Sequence, residues 1–358
     1  MDVRTLVKRY LAQHTPGFWA WAVSTTVLGI LALLLITKIF LSGNDLSKEA
    51  IDAGQRVLVH IAGDTVDGNA RHTRRAEAKA PDVSSSTIIS KDGLAPAPLA
   101  AISEQSDKGL IPIVGRDGTQ PWKYYARPYT AQEKRPVVAI VFTNLGLSRP
   151  LTQDVLTLPH NFTLSFSPYA GDAKVWAQKA REEGFESLVD LPMQPENYPL
   201  SDPGPYGLLD DLSPADSSAR LHWVLSRFPG FVGVLAPENE KLTANASVLR
   251  PTLVELAARG VLFVYLKTPK NGGVEELAKS RSLHTLAADM VIDDEISNAA
   301  IAAQLQNLTD LAKKQGYAIG IAHSYPPTTE TVVEWAQGLS AQGVDLVPVS
   351  AVATRIFP

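Results

Sequence analysis

From residue 137 to the C-terminus, short apolar runs alternate with amphipathic segments, and this alternation restricts the fold more than any other feature of the chain. The runs are rich in β-branched residues, which is typical of strands buried on both faces of a sheet. We predict strands at 137–142, 162–166, 187–191, 231–236, 261–266, 290–292, 318–322 and 344–347. Strands that alternate with helices form βαβ units and a parallel sheet. We expect them to close into a (β/α) barrel, and a doubly wound open sheet is the alternative.

Local signals place helices between these strands. Ser213 is a typical N-cap residue, Pro214 fits the first helical position and Asp216 lies in the first turn, so a helix is predicted from Ser213 to about residue 228. Later segments repeat apolar residues at helical spacing and then reach a glycine, which favours a helix end. These glycines are Gly260, Gly316 and Gly343.

Residues 18–37 form an uncharged, mostly apolar run, which predicts a membrane-spanning helix. A helix of about 20 residues is roughly 30 Å long, the thickness of the hydrocarbon core of a bilayer. Arg4, Lys8 and Arg9 precede the run and aromatic residues begin it, so the N-terminus is expected in the cytoplasm. The alternative is a cleaved signal peptide. The length of the run and the lack of an A-x-A-like site after it favour an uncleaved anchor.

Composition divides the chain into four parts. We predict a cytoplasmic tail at 1–17, the anchor at 18–40, a flexible stalk at 41–109 and the globular domain at 110–358. The stalk has few aromatic residues and contains Ser and Ala-Pro runs, so it buries too little apolar surface to offset the entropy cost of ordering. An aromatic, Pro-rich lead-in at about 121–128 is interpreted as an arm packed on the domain.

Several classes of function are excluded by composition. Cysteine is absent, which rules out disulfides, thiol catalysis and Cys-ligated zinc. The net charge is −4, so no basic field extends over the whole chain to attract nucleic acid. The sequence also lacks the serine hydrolase motif Gly-x-Ser-x-Gly and the metalloprotease motif His-Glu-x-x-His.

Polar side chains follow many of the predicted strands. They are Thr143, Asn144, Asp190, Gln194, Lys267, Asp294 and His323. The carboxyl ends of parallel strands lie at one edge of the sheet, where sites of α/β folds are found. We therefore expect these side chains to converge on one face of the domain.

The chain resembles the divergent polysaccharide deacetylases, envelope proteins related to the carbohydrate esterases that remove N-acetyl groups. The resemblance covers about residues 110–355 and rests on the order and spacing of short segments. They are Pro121-Trp122, Ala126-Arg127-Pro128, Leu145-Gly146-Leu147-Ser148, Leu191-Pro192-Met193-Gln194-Pro195, Asp202-Pro203-Gly204-Pro205, and Arg227-Phe228-Pro229-Gly230 followed by Val232-Gly233-Val234. The resemblance implies a deformed (β/α) barrel of seven to eight parallel strands.

The resemblance also implies metal-dependent deacetylation, but most residues of the family's metal-site pattern are replaced. That pattern has paired Asp residues after the first strand, an Asn-His-Met-Gly turn after the fourth, an Asp after the fifth and a His-containing turn after the seventh. Here Thr143 and Asn144, Pro237 and Tyr265 stand at the first three places, and only His323 matches. A catalytic metal usually has three protein ligands, so we expect no metal cofactor and a degenerate enzyme.

Two interpretations of the acidic residues are open. Asp190, Asp294 and His323 are the candidate catalytic residues of an altered zinc site, which would make the protein an active N-acetyl deacetylase. Alternatively, Asp293 and Asp294 cap the helix that begins near Ser297 or only contact solvent, and we favour this interpretation. Glu238 and Lys267 are expected to form a surface ion pair rather than a pair across the cleft.

Together these features predict a single-pass protein of the bacterial inner membrane with a periplasmic, catalytically degenerate domain. Its expected partner is a cell-wall polysaccharide or another envelope protein. The expected binding residues are Thr143, Asn144, Gln194, Lys267 and His323. A purely structural role in an envelope assembly, without glycan contact, is left open.

Overall fold

The structure is a computed structural model that describes residues 94–130, 135–236, 241–270, 272–281 and 283–357. The predicted tail, the predicted anchor and most of the predicted stalk lie outside these residues and stay predictions. Among the described residues, no helix has the length and apolar character needed to cross a membrane.

A hairpin precedes the main sheet. It consists of β1 (Ser103–Gln105) and β2 (Leu110–Pro112), which pair antiparallel. The main sheet is parallel, and it contains β3 (Val137–Leu145), β4 (Thr163–Phe166), β5 (Glu186–Asp190), β6 (Gly233–Ala236), β7 (Leu262–Leu266), β8 (Thr285–Ala288), β9 (Met290–Val291), β10 (Tyr317–His323) and β11 (Asp345–Leu346). Its strand order is β8-β7-β6-β5-β4-β3-β10-β9, and β11 pairs with the start of β3.

The two edges of this sheet belong to one continuous stretch of chain. β8 pairs with β7 and β9 pairs with β10, while Asp289 alone separates β8 from β9. The backbone N–H of Asp289 donates to the Ile319 carbonyl at 2.7 Å, and its carboxylate accepts from the Ile319 N–H at 2.9 Å. The order is therefore circular and the sheet is a nearly closed barrel. The predicted (β/α) barrel is confirmed over the open-sheet alternative.

Helices follow most strands and cover the barrel. They are α1 (Pro121–Tyr124), α2 (Arg149–Val155), α3 (Ala173–Glu182), α4 (Pro214–Leu225), α5 (Lys241–Ala244), α6 (Ala246–Ala258), α7 (Gly272–Arg281), α8 (Asn298–Gln315), α9 (Pro326–Leu339) and α10 (Val349–Ile356). The predicted N-cap is confirmed, because the Ser213 hydroxyl accepts from the Asp216 N–H at 3.1 Å. Gly316 ends α8 in the left-handed conformation with φ of 95°.

Each predicted strand segment contains a strand of the sheet, but β8 and the β1–β2 hairpin were not predicted. β8 has the sequence Thr-Leu-Ala-Ala, in which small residues replace the β-branched ones that usually indicate a strand. β1 and β2 have three residues each, too few to show an alternation.

Side chains of each strand alternate between two apolar layers. On β3, Ile140 and Phe142 belong to an outer layer that packs against the helices, whereas Ala139 and Val141 belong to an inner layer in the barrel. The inner layer also includes Trp122 of the lead-in. Side chains from α10 join it as well, so the lead-in and the last helix close the amino-terminal end of the barrel.

Residues 94–109 were expected in the stalk, but they pack on the domain. Leu94, Ala97 and Ile102 are buried. The buried Arg181 guanidinium donates to the Ala95 carbonyl, with Nε at 2.9 Å, and to the Gly230 carbonyl at 3.0 Å. Scattered apolar residues and one carbonyl are enough to dock this segment although it lacks aromatic side chains. The ordered domain therefore includes residues before 110.

Candidate functional site

Asp190 is the last residue of β5 and the centre of a buried polar cluster at the carboxyl-terminal end of the barrel. Its Oδ1 accepts from the Thr143 hydroxyl at 2.9 Å and from the Ser165 hydroxyl at 2.5 Å. Its Oδ2 accepts from the backbone N–H of Asn144 at 3.0 Å. Burial raises the pKa of the Asp190 carboxyl, and the hydrogen bonds oppose this rise. The three donors fix the orientation of the carboxyl group.

The alternation of side chains explains why this cluster forms. Leu188 lies in the inner layer, and Asp190 is two residues further along the same strand. Thr143 likewise follows the inner-layer residue Val141 on β3. The last inward-facing side chains of β3 and β5 therefore meet at the carboxyl-terminal end of the barrel, next to its apolar interior.

Asn144 has an unusual backbone conformation. Among the described residues other than glycine, it is the one with positive φ, at 58°. The pairing of β3 with β4 shifts register between Phe142 and Leu145, so Asn144 lies in a β-bulge. Left-handed backbone at a non-glycine residue is a strain that is often found at functional sites. Here it accompanies the hydrogen bond from the Asn144 N–H to Asp190.

A cavity of about 350 Å³ lies beside Asp190, between the loops that follow β3, β4 and β5. We call it the Asp190 cleft. Its lining includes Asn144, Leu147, Tyr169, Asp190, Met193 and Asp202. Both polar and apolar groups thus line an opening at the edge where α/β barrels carry their sites.

Aromatic stacking holds one wall of the Asp190 cleft. The Tyr169 hydroxyl donates to the Pro203 carbonyl at 2.8 Å and accepts from the Tyr206 N–H at 3.1 Å. The Tyr206 ring stacks on Trp223 at a centroid distance of 3.8 Å, and the Arg227 guanidinium lies 4.8 Å from the Trp223 ring. Trp223 therefore packs against loop residues, and the loop after β5 is attached to α4.

A second polar pair lies at the end of β10. The buried Asp293 carboxylate accepts from the backbone N–H of His323 at 2.8 Å and from the Thr328 hydroxyl at 2.9 Å. Its Oδ1 lies 2.9 Å from Nδ1 of His323. His323 is in register with Thr143 on the adjacent β3. A positive charge on its imidazole opposes the rise in the pKa of the Asp190 carboxyl. Asp293 thus orients the imidazole beside the Asp190 cluster.

Two other predicted site residues, Gln194 and Lys267, make no hydrogen bond to Asp190 among the described contacts. Gln194 is buried, and its side-chain oxygen accepts from the Asp210 N–H at 2.8 Å, so it holds the loop. Lys267 forms an ion pair with Glu275 at 3.8 Å and lines a different cavity. Strand alternation explains this, because Lys267 follows Tyr265, which packs in the outer layer. The predicted convergence therefore does not include Lys267.

The expectation for Asp293 needs correction, whereas Asp294 faces solvent as expected. Asp293 does not cap the following helix, because Ser297 caps it with its own hydroxyl, which accepts from the Ala300 N–H at 3.2 Å. Asp293 holds His323 instead, and Asp294 is exposed. Pro237 and Glu238 lie outside the described residues.

The described residues do not fit the divalent metal implied by the resemblance. In that part of the chain, no group of three or more His, Asp or Glu side chains is placed to hold a metal ion. Asp190 is surrounded by hydroxyl and amide donors instead of other ligands. The altered zinc site required Asp190, Asp294 and His323 to meet, and Asp294 is turned to solvent.

Comparison with known proteins gives the family. The profile of the divergent polysaccharide deacetylases matches residues 140–353. The chain belongs to the divergent polysaccharide deacetylase family. The crystal structure of an uncharacterised protein from Agrobacterium tumefaciens C58 is 32% identical, with a TM-score of 0.66 over 68% of this chain and 99% of that one.

Two curated relatives are more distant in sequence. The uncharacterised protein YibQ of Escherichia coli K12 is 24% identical over 203 residues, which cover 56% of this chain. The match spans 63% of the length of YibQ. An uncharacterised protein of Haemophilus influenzae is 23% identical over 191 residues, 53% of this chain and 68% of its own length.

Several of the segments that carry the family resemblance lie around the Asp190 cleft. Leu147, Met193 and Asp202 of three such segments line it. Gly204 lies against the Tyr169 ring, which a Cβ at this position would approach to 2.8 Å. Arg227 donates to the Pro168 carbonyl at 2.9 Å. In this member of the divergent polysaccharide deacetylases, these segments shape the walls of the cleft.

Ser165, Tyr169 and Thr328 belong to the site but were not singled out from the sequence. Ser165 carries a usable signal, because Thr163 and Ser165 are polar residues at alternate positions of an otherwise apolar strand. Such a pattern indicates a polar layer inside a barrel. Tyr169 and Thr328 carry no comparable signal, since each acts through contacts to a distant segment.

Proposed function

We propose that the protein is a membrane-anchored envelope protein whose deacetylase-like domain binds a glycan in the Asp190 cleft without metal-dependent hydrolysis. The observation that carries this proposal is the Asp190 carboxyl group, which Thr143, Asn144 and Ser165 hold at the cleft. A carboxylate that serves a catalytic metal would face other ligands, whereas this one is built into a network of hydrogen-bond donors.

The lining of the Asp190 cleft supports a sugar as the ligand. Asn144 and Asp202 offer hydrogen-bonding groups, while Leu147, Tyr169 and Met193 offer apolar surface. Sugars combine hydroxyl groups with apolar ring faces, so they match a lining of both kinds. Membership of the divergent polysaccharide deacetylases supports the same class of ligand.

The membrane anchor and the periplasmic location rest on sequence. The uncharged run 18–37, with Arg4, Lys8 and Arg9 before it, supports a single span with the domain outside the cytoplasm. A reporter that is active only in the periplasm, fused after Pro358, should be active. Activity only of a cytoplasmic reporter at that position would contradict the anchor and the location.

The binding proposal is tested by titrating the full chain in detergent with chitin oligosaccharides and peptidoglycan fragments. Asn144→Ala and His323→Ala should each weaken binding by about 1 to 3 kcal/mol through lost or unpaired hydrogen bonds. Asn307→Ala, a matched change at an exposed position of α8, should bind as the original protein does. Equal affinity of all four proteins, or no binding, would reject the cleft as a glycan site.

The Asp293–His323 pair favours a second candidate, a deacetylase that uses acid–base chemistry. A buried carboxylate that holds Nδ1 of a histidine fixes the ring for proton transfer at Nε2. This candidate predicts acetate release from N-acetylated glycans that is lost in His323→Ala. The binding proposal predicts no acetate release, so an acetate assay of the purified full chain separates the two functions.

A further inference from the structure

A larger cavity lies at the opposite end of the barrel from the Asp190 cleft. It has a volume of about 610 Å³ and lies between the lead-in and the last helix, α10. Val137, the first residue of β3, lines it, as does Ser350 of α10. In α/β barrels this end usually serves stability and sites occupy the other. The Asp190 cleft and its proposed glycan therefore do not account for this cavity.

Positive charge distinguishes this cavity. Lys123, Arg127 and Arg355 line it, and no Asp or Glu is among its described lining residues. We call it the basic pocket. The whole chain has a net charge of −4, so a concentration of cations is not a consequence of composition. Cations gathered in a concave surface raise the local concentration of anions.

The two arginines of the basic pocket are held in place by backbone carbonyls. The Arg355 guanidinium donates to the Gly316 carbonyl at 2.6 Å and to the Arg135 carbonyl at 2.8 Å. The Arg127 guanidinium donates to the Gly184 carbonyl at 2.5 Å. A carbonyl orients a guanidinium without cancelling its charge, so the two Arg355 contacts position a cation for an incoming anion.

The nearest buried carboxylate is occupied by other groups. Glu186 accepts from the backbone N–H groups of Arg127 and Ser350, each at 3.0 Å, and from the Ser350 hydroxyl. It is fully buried and is not part of the pocket lining. The Tyr124 ring also lines the pocket, and no described residue makes a hydrogen bond with its hydroxyl. The pocket thus offers cations and a phenolic donor.

We propose that the basic pocket binds a phosphate group, carried either by a soluble phosphate compound or by a lipid headgroup. A phosphate monoester carries a charge of about −1.5 to −2 at neutral pH, which matches a pocket with several cations better than a single carboxylate does. Arginine and lysine are the residues that most often bind phosphate in proteins. The volume leaves space for a group attached to the phosphate.

The test uses the full chain in detergent and calorimetric titration with two probes. Pyrophosphate represents a soluble source, and dihexanoyl phosphatidic acid represents a lipid source, with dihexanoyl phosphatidylcholine as its neutral-headgroup control. Lys123→Gln and Arg355→Gln, singly and together, remove cations at exposed positions. Each single change should weaken binding about tenfold, the effect of losing one charge-assisted hydrogen bond. Lys174→Gln and Arg149→Gln, exposed cations on α3 and α2, should leave the affinity unchanged.

Each outcome decides the proposal. Pyrophosphate binding that is lost in the double variant supports the site and a soluble ligand. Binding of the phosphatidic acid alone, lost in the same variant, supports the site and a lipid ligand. Absence of binding for both probes, or affinity unchanged in the double variant, overturns the proposal. Lys123 makes no hydrogen bond to a described residue, so its variant stays informative even if Arg355→Gln loses stability.

Discussion

Two buried carboxyl groups on one strand serve different parts of the molecule. Glu186 begins β5 and Asp190 ends it, and burial raises the pKa of both. Glu186 joins distant segments, since its donors come from the lead-in, from β4 and from α10. Asp190 joins only the ends of β3 and β4, next to an open cleft. Position along the strand therefore separates a carboxyl group that closes the barrel from one that shapes a site.

The donors differ in kind as well as in origin. Each Glu186 oxygen faces a backbone N–H, from Ser350 or from Arg127, and a backbone N–H cannot become an acceptor. At Asp190, Oδ1 faces two hydroxyl groups, which can turn to accept, and only Oδ2 faces a backbone N–H. An amide side chain is thus incompatible with the Glu186 network and compatible with the Asp190 network.

The largest expected effect is on stability at Glu186. Glu186→Ala leaves several buried donors without an acceptor and opens a cavity, so unfolding in urea should require about 3 to 5 kcal/mol less free energy. Glu330→Ala, at an exposed position of α9, is the control and should change stability by about 0.5 kcal/mol or less. A loss at Glu186 as small as the control would remove the closing role assigned to it.

A somewhat smaller loss is expected at Arg181, which connects the first described segment to the barrel. Burial lowers the pKa of Arg181 to about 10, and its guanidinium donates to the Ala95 and Gly230 carbonyls. Arg181→Met should cost about 2 to 3 kcal/mol and speed amide hydrogen exchange at residues 94–102. Unchanged exchange there would show that this segment does not depend on Arg181.

The raised pKa values predict a slope of stability against pH. The folded protein holds protons on Glu186 and Asp190 more tightly than the unfolded chain does. Their contribution is therefore fully present below the ordinary values of 4.5 and 3.8 and is lost as pH rises through the folded pKa values. In urea titrations, the free energy of unfolding of the original protein, compared with that of Asp190→Asn, should fall as pH rises from below 3.8 through the folded pKa of Asp190. A relative gain with rising pH would contradict the direction of the Asp190 shift.

The smallest effect is expected at Asn144. Asn144→Ala places a Cβ-bearing residue without a local hydrogen-bonding side chain at positive φ, which costs about 1 kcal/mol. Asn144→Gly removes the same side chain without that strain and should cost less. If the two variants are equally stable in thermal unfolding, the backbone at the bulge stores no strain.

The sequence predicted the barrel because alternation of apolar runs is a local property that the sheet uses directly. It predicted only part of the site. Strand parity places Thr143 and His323 inward and Lys267 outward, and this parity is readable once the strands are fixed. The contact between Asp293 and Thr328 depends on how the loop after β10 returns to the barrel. The register shift at Asn144 likewise depends on the pairing of β3 with β4, which no local pattern contains.

The most direct test of the division between the two carboxyl groups measures stability and glycan affinity together in Glu186→Gln and Asp190→Asn. Glu186→Gln sets an amide NH₂ against a backbone N–H, so it should lower stability by about 1 to 3 kcal/mol and leave affinity unchanged. Asp190→Asn should stay within about 1 kcal/mol of the original stability and weaken glycan binding about tenfold or more. The reverse pattern, with affinity lost at Glu186 and stability lost at Asp190, would contradict the account.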